Sequence, residues 1–187
     1  MSVIATKRLA KELNEIKSDG CPVGINLLKA DDFATWWFTI EVMGESVYQS
    51  EVYTLQFRFD SGYPISAPAV QFVVTEGRAA PVHPHVYSNG HICASILGSE
   101  WSPVLSVVAV CITLQSMLAS CKKKELCEYH ILSILLLSSD LMLCSPVDNA
   151  RYIRHAPDNP KKTQFEYHGA QAFFDSVHPL NPSAILD

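Results

Sequence analysis

Residues 52–59 read VYTLQFRF, which places Tyr53, Leu55, Phe57 and Phe59 at every second position. Side chains two apart share one face of an extended chain, so this run specifies a strand with one apolar side. Such a strand needs neighbours to pair with and a layer to cover its face. Three further stretches supply the neighbours: Gly24–Leu28, Thr35–Met43 and Val70–Val74, together rich in β-branched and aromatic residues. Met43-Gly44-Glu45 and Asp60-Ser61-Gly62 read as turns between successive strands. Four strands in a row with short connections predict an antiparallel meander.

The covering layer comes from helices. Over residues 2–17, Leu9, Leu13 and Ile16 recur at helical spacing, while Lys7, Arg8, Lys11 and Glu12 fill other faces. Ser18-Asp19-Gly20 ends the helix and Pro22 prevents a quick restart. Residues 75–100 show little regular pattern. Trp101-Ser102-Pro103 reads as a helix start, with Ser102 as N-cap and Pro103 at the first helical position. Val104–Ser120 then forms an apolar, buried helix, and Asn149–Ile153 and Phe165–Phe174 are short helices. From Asn181 the tail is frayed. The class is α+β.

The chain has 187 residues, enough for one domain with a real core. A net charge of −5 and only two short lysine runs, 122–124 and 161–162, exclude a nucleic-acid footprint. The most apolar window, Ile131–Leu143, is too short to span a bilayer and holds Asp140, so no membrane partner is expected. Six cysteines fall in no framework spacing, and the first residues lack an apolar signal core. Both point to a reducing compartment, cytoplasmic or nuclear.

The chemistry concentrates in PVHPHVYSNGHICASIL, residues 81–97, where His83, His85, His91 and Cys93 lie close together. One reading is a zinc site of three imidazoles and a thiolate. Its weakness is spacing: each pair is separated by one residue, where recurrent zinc pairs leave two to four. A second reading makes Cys93 a nucleophile, exposed after a Ser-Asn-Gly turn and anchored by the apolar residues that follow. A third makes it a small core residue. Trp36, Trp37 and Trp101 read as core and loop anchors, and Cys111 and Cys121 as structural.

Taken in order, Tyr63-Pro64-Ile65-Ser66-Ala67-Pro68, His83-Pro84-His85, Gly90-His91-Ile92-Cys93 and Trp101-Ser102-Pro103 resemble the ubiquitin-conjugating enzymes. The resemblance runs over residues 4–124 and resumes from Asp148 to His168. HPHVYSNGHIC, the DNARY element and the late KKT…YH segment are similar to the W-type subtype, which modifies N-terminal α-amino groups. The resemblance implies a UBC-like fold: N-terminal helix, four-stranded meander, long active-site loop, then C-terminal helices. It implies a ubiquitin thioester on Cys93, with ubiquitin received from an activating enzyme that consumes the ATP, and no cofactor bound to this chain. His83 braces the loop. His85 stands where most members have Asn, and Asp148 matches an acidic residue that gates the incoming amine. Lys7, Arg8, Lys11, Ile65, Pro103 and Val104 match the surface that meets RING or U-box ligases. The basic face of the first helix also meets the activating enzyme. Protein substrates with free, flexible N-termini complete the partners.

Two departures stand out. The conjugating domain covers residues 1–168, but an apolar insertion at about 126–145 (CEYHILSILLLSSDLMLCS lies within 127–145) interrupts the family pattern. It reads as a helical insertion, as an exposed apolar liability, or as a translated intron. The last is favoured, because Cys127-Glu128-Tyr129 can be encoded TGT GAG TAT, which contains a splice-donor-like GTGAGT. An insertion beside the site makes a catalytically inert ubiquitin- or ligase-binding variant the alternative function. The extension at 169–187 lacks the paired tryptophans of the W-type, and Phe165 and Tyr167 take their place.

Overall fold

The computed structural model describes residues 1–122, 124 and 149–163. The insertion at 126–145, Asp148, the helix expected at Phe165–Phe174 and the 169–187 extension lie outside the described residues.

Helix α1 spans Val3–Asp19. The Ser2 hydroxyl accepts from Ala5 N at 3.2 Å, which satisfies one of the first-turn donors that a helix leaves unpaired. Gly20 closes the helix at φ 80°, a left-handed position that suits glycine. Strands β1 (Ile25–Lys29), β2 (Thr35–Glu41), β3 (Val52–Arg58) and β4 (Ala69–Phe72) form one sheet in the order β1-β2-β3-β4. Every pairing is antiparallel. The meander expected from the alternating runs is present.

Register places the apolar positions in opposition across the strands: Trp36 faces Phe57, Phe38 faces Leu55, Ile40 faces Tyr53, and Leu55 faces Phe72. These side chains line one face and are buried. Phe38 meets Phe57 edge-on at 5.5 Å, and Trp36 meets Phe59 edge-on at 5.2 Å, the preferred geometry for aromatic pairs. The connection at 42–51 is longer than the Met43-Gly44-Glu45 turn suggested. It carries Tyr48 into the core, where its hydroxyl donates to Val82 O at 2.6 Å.

Helix α2 runs Val107–Ser120 and lies against β2. Val107, Val110, Cys111, Leu114 and Leu118 are buried in the same core as Ala5, Leu9 and Ile16 of α1. Gln115 donates to Glu41 O at 2.7 Å and to Val23 O at 3.0 Å, tying the helix to the end of β2 and to the α1–β1 connection. The expected helix start at Ser102-Pro103 is corrected. Ser106 is the N-cap, accepting from Ala109 N at 3.2 Å. Both serines carry capping chemistry, but the residue 102–105 turn closes on itself (Leu105 N to Ser102 O, 2.9 Å), and its carbonyls are taken by α1. Helix α3 spans Asn149–His155. Single 3-10 turns occupy Ser95–Leu97 and Pro160–Lys162. Among the described residues no helix is long and apolar enough to cross a membrane.

Phe38 of β2 is fully buried in the core, so truncation leaves a cavity that its neighbours fill only in part. We expect Phe38→Ala to lower the unfolding free energy by about 3–5 kcal/mol, read as a shifted urea midpoint.

Candidate active site

After β4 the chain enters a long loop that is built from backbone hydrogen bonds despite its lack of regular structure. Val86 N donates to His83 O at 3.0 Å, and Tyr87 N donates to His91 O at 2.9 Å. Phe72 N donates to Gly90 O at 2.8 Å, which pins the Ser88–Gly90 turn to the sheet. Gly90 holds φ 89°, and a Cβ there would stand 2.0 Å from Phe72 O. Only glycine allows that approach.

His83 is the keystone of the loop. It is 4 % exposed, and its Nδ1 accepts from His85 N at 3.0 Å. Burial pushes its pKa down to about 4, assisted by the neighbouring His85, and a hydrogen bond to the Met117 backbone opposes the shift. The ring is therefore neutral at pH 7, accepting at Nδ1 and bonded to the backbone of α2. His85 O in turn accepts from Cys93 N at 2.8 Å. A chain of contacts thus runs from α2 through His83 and the His85 main chain to the amide of Cys93. The His85 side chain is exposed, and partial burial of the ring lowers its pKa. The Cys93 thiol is half-buried and is in no disulfide. A half-buried thiol on an anchored amide is positioned for attack on an incoming carbonyl.

His91, two residues before the cysteine, is buried. Its Nδ1 lies 2.7 Å from the Tyr152 hydroxyl, which is 3.1 Å from Thr163 Oγ1. Tyr152 stacks on Tyr87 with centroids 3.9 Å apart. Asn149 Oδ1 accepts from Ser88 N at 2.9 Å, and its amide donates to Ser88 Oγ at 3.2 Å. Helix α3 is therefore fastened at two points to the turn that precedes Cys93. Sequence reasoning gave Asn149 no clear duty and overlooked Tyr87 and Tyr152. Their signals were the motifs that contain them, HPHVYSNGHIC for Tyr87 and DNARY for Tyr152. Nδ1 of His83 and of His91 is engaged by His85 N and Tyr152, and among the described residues no group of three His, Cys, Asp or Glu side chains is placed to hold a metal.

The residues expected at a ligase surface lie on α1 and two adjacent loops. Lys7, Lys11 and Pro103 are exposed, Ile65 is 73 % exposed and Val104 is 86 % exposed. Arg8 is half-buried. Its guanidinium donates to Pro103 O at 2.8 Å and Leu105 O at 2.9 Å and pairs with Glu12 at 2.5 Å. Trp101 anchors its loop by donating to Pro64 O at 2.8 Å.

The model of the ubiquitin-conjugating enzymes matches residues 8–140. The chain belongs to the ubiquitin-conjugating enzyme family. Among curated relatives it is 39 % identical over 171 residues to the ubiquitin-conjugating enzyme E2 W of Caenorhabditis elegans, covering 90 % of this chain and 97 % of that one. It is 41 % identical over 165 residues to a probable E2 W-A of Danio rerio, covering 87 % and 94 %. Among solved structures, the ubiquitin-conjugating enzyme UbcA1 of Agrocybe aegerita is similar at 68 % identity and a TM-score of 0.74. That match covers 86 % of this chain and all of the other. The family assignment makes this protein a transferase with a UBC fold.

The buried histidines of this conjugating enzyme set a pH dependence. The folded pKa of His83, about 4, lies below its ordinary 6.5. Between these values the unfolded chain binds more protons than the folded one, so stability rises with pH across that window. The contribution is present above pH 6.5 and is lost as pH falls toward 4. His85 and His91 shift in the same direction through burial and steepen the slope. We expect the urea midpoint to fall from pH 7 to pH 4.5, and His83→Gln to flatten that fall relative to its own value at pH 7.

Proposed function

We propose that Cys93 carries ubiquitin as a thioester and passes it to substrate amines. The observation that carries this is the half-buried Cys93 thiol on an amide held by His85 O, in a loop braced by buried His83. In the first step the Cys93 thiolate attacks the ubiquitin C-terminal carbonyl, bound as a thioester to the activating enzyme. A new C–S bond forms and the activating enzyme's thiolate leaves. In the second step an amine nitrogen attacks the same carbonyl, the C–S bond breaks, and the Cys93 thiolate departs while the amine loses a proton. No cofactor is needed on this chain, since ATP is consumed upstream. Ubiquitin, the activating enzyme and RING or U-box ligases are the partners, with Ile65, Pro103 and Val104 as the exposed apolar contacts for the ligase and Lys7 and Lys11 on the neighbouring helix face.

The substrate amine is an N-terminal α-amino group. Two points support this: the resemblance of HPHVYSNGHIC to the W-type subtype, and the presence of His85 where lysine-directed members have Asn. An α-amine has a pKa near 7.7–8.0 against about 10.4 for lysine. It is partly deprotonated at neutral pH and needs less assistance in losing its proton. Partial burial lowers the His85 pKa and so favours the uncharged ring, which can accept that proton or donate to the developing oxyanion. Asp148 is the acceptor gate in this proposal.

Two assays test the reading. With activating enzyme, ubiquitin and ATP, a non-reducing gel should show an adduct that thiol removes and that Cys93→Ala abolishes. An adduct that survives in Cys93→Ala would move the nucleophile elsewhere, and no adduct at all would favour an inert binding variant. In the transfer step, a lysine-containing peptide with a free N-terminus should be modified and its N-acetylated form should not. Equal labelling of the two would assign the activity to lysine.

A further inference from the structure

We propose that the buried Glu12 is the positioning residue that sets Ile65 and Val104 relative to one another. Its carboxylate is 3 % exposed and takes hydrogen bonds from three separate segments. Oε1 accepts from the Tyr63 hydroxyl at 2.6 Å and from Arg8 Nε at 2.5 Å. Oε2 accepts from Val107 N, the first amide of α2, at 2.7 Å. Arg8, held by that carboxylate, reaches on to the carbonyls of Pro103 and Leu105.

The anchors bracket the two exposed apolar side chains. Ile65 follows Tyr63, whose hydroxyl is on Glu12, and Pro64, whose carbonyl is on Trp101. Val104 lies between the two residues whose carbonyls are on Arg8, and three residues before the amide on Glu12. Each exposed residue thus protrudes from a loop whose flanking backbone or side chains are tied to one ion pair. The two loops are 39 residues apart in sequence (104 − 65) and no strand joins them directly. Beside the direct bond from Trp101 to Pro64 O, this junction is what fixes their relative position.

The docking consequence rests on the proposed ligase surface. A partner that must meet Ile65 and Val104 together binds best when their spacing is already set, because ordering two loops on binding costs free energy. Glu12 never touches the partner. Loosening its junction should weaken docking without altering the chemistry at Cys93, which lies on a different loop. The acidic side chain is suited to this role because a carboxylate accepts all three donors, whereas glutamine would turn an N–H toward one of them.

The full chain as Glu12→Gln and as Tyr63→Phe tests this. Tyr63→Phe removes one hydrogen bond while the ring stays packed on Phe59, so it keeps the test decisive if Glu12→Gln does not fold. Two readouts are needed. In amide NMR spectra, Ile65 and Val104 should shift and exchange faster together in either variant. Changes confined to one loop would overturn the proposal. On preloaded thioester, a RING domain that accelerates discharge of the unsubstituted chain should need about fivefold or more higher concentration for half-maximal effect, with the saturated rate retained. A fall in the saturated rate at unchanged half-saturation would mean general structural damage and overturn the positioning role. Ile65→Ala and Val104→Ala serve as the independent check on the surface. If they leave half-saturation unmoved, the ligase-surface reading fails, and the joint amide response alone decides the role of Glu12. If they raise it while Glu12→Gln and Tyr63→Phe do not, the surface stands and the positioning role is refuted.

Discussion

Glu12 lies on the inner face of α1, where a charged group loses its hydration. Removing a carboxylate from water costs several kcal/mol, and the structure offsets that cost with three donors, one of them cationic. Charge-assisted hydrogen bonds are about twice as strong as neutral ones. The Tyr63 hydroxyl is held protonated by burial and by the adjacent carboxylate, which both push its pKa upward. α1, the 60–68 loop, the 102–106 turn and the start of α2 are thus joined at one point. The apolar core alone would allow these elements to slide, since hydrophobic contact is not directional.

The catalytic loop uses the same physics with neutral groups. A long loop over a sheet edge must pair its backbone or leave polar groups stranded. Here His83 supplies a buried acceptor for His85 N, and Gly90 approaches Phe72 closely enough to extend the sheet's hydrogen bonding by one residue. Burial keeps His83 uncharged, which is what allows Nδ1 to accept. The loop is therefore rigid for a physical reason, and Cys93 inherits that rigidity through its amide. α3 adds a second restraint from the other side through Asn149 and Tyr152.

Much of the fold was legible in particular residues. Tyr53, Leu55, Phe57 and Phe59 alternate, and all four are buried on one face. The family motifs identified the conjugating enzyme, and a relative from Caenorhabditis elegans spans nearly its whole length in alignment. What the residues did not reveal were the choices between equivalent local signals. Ser102 and Ser106 both carry capping chemistry, and Arg8 took the carbonyls that a helix beginning at Val104 would have needed. Glu12 read as one more charged residue on a helix. Its burial depends on Tyr63 and Val107, 51 and 95 positions away.

The sequence by itself determined the strand faces, the order of the sheet, the membership in the ubiquitin-conjugating enzymes and the cysteine at the centre of the loop. These follow from periodicity and from short motifs, each only a few residues long, taken in their order along the chain. Only the tertiary structure decided the start of α2, the commitment of Arg8, the clamp of α3 on His91 and the convergence of three segments on Glu12. Each of these rests on a hydrogen bond between residues distant in the chain. Local pattern carries no record of such a bond, because the donor and its acceptor become neighbours only when the core has closed.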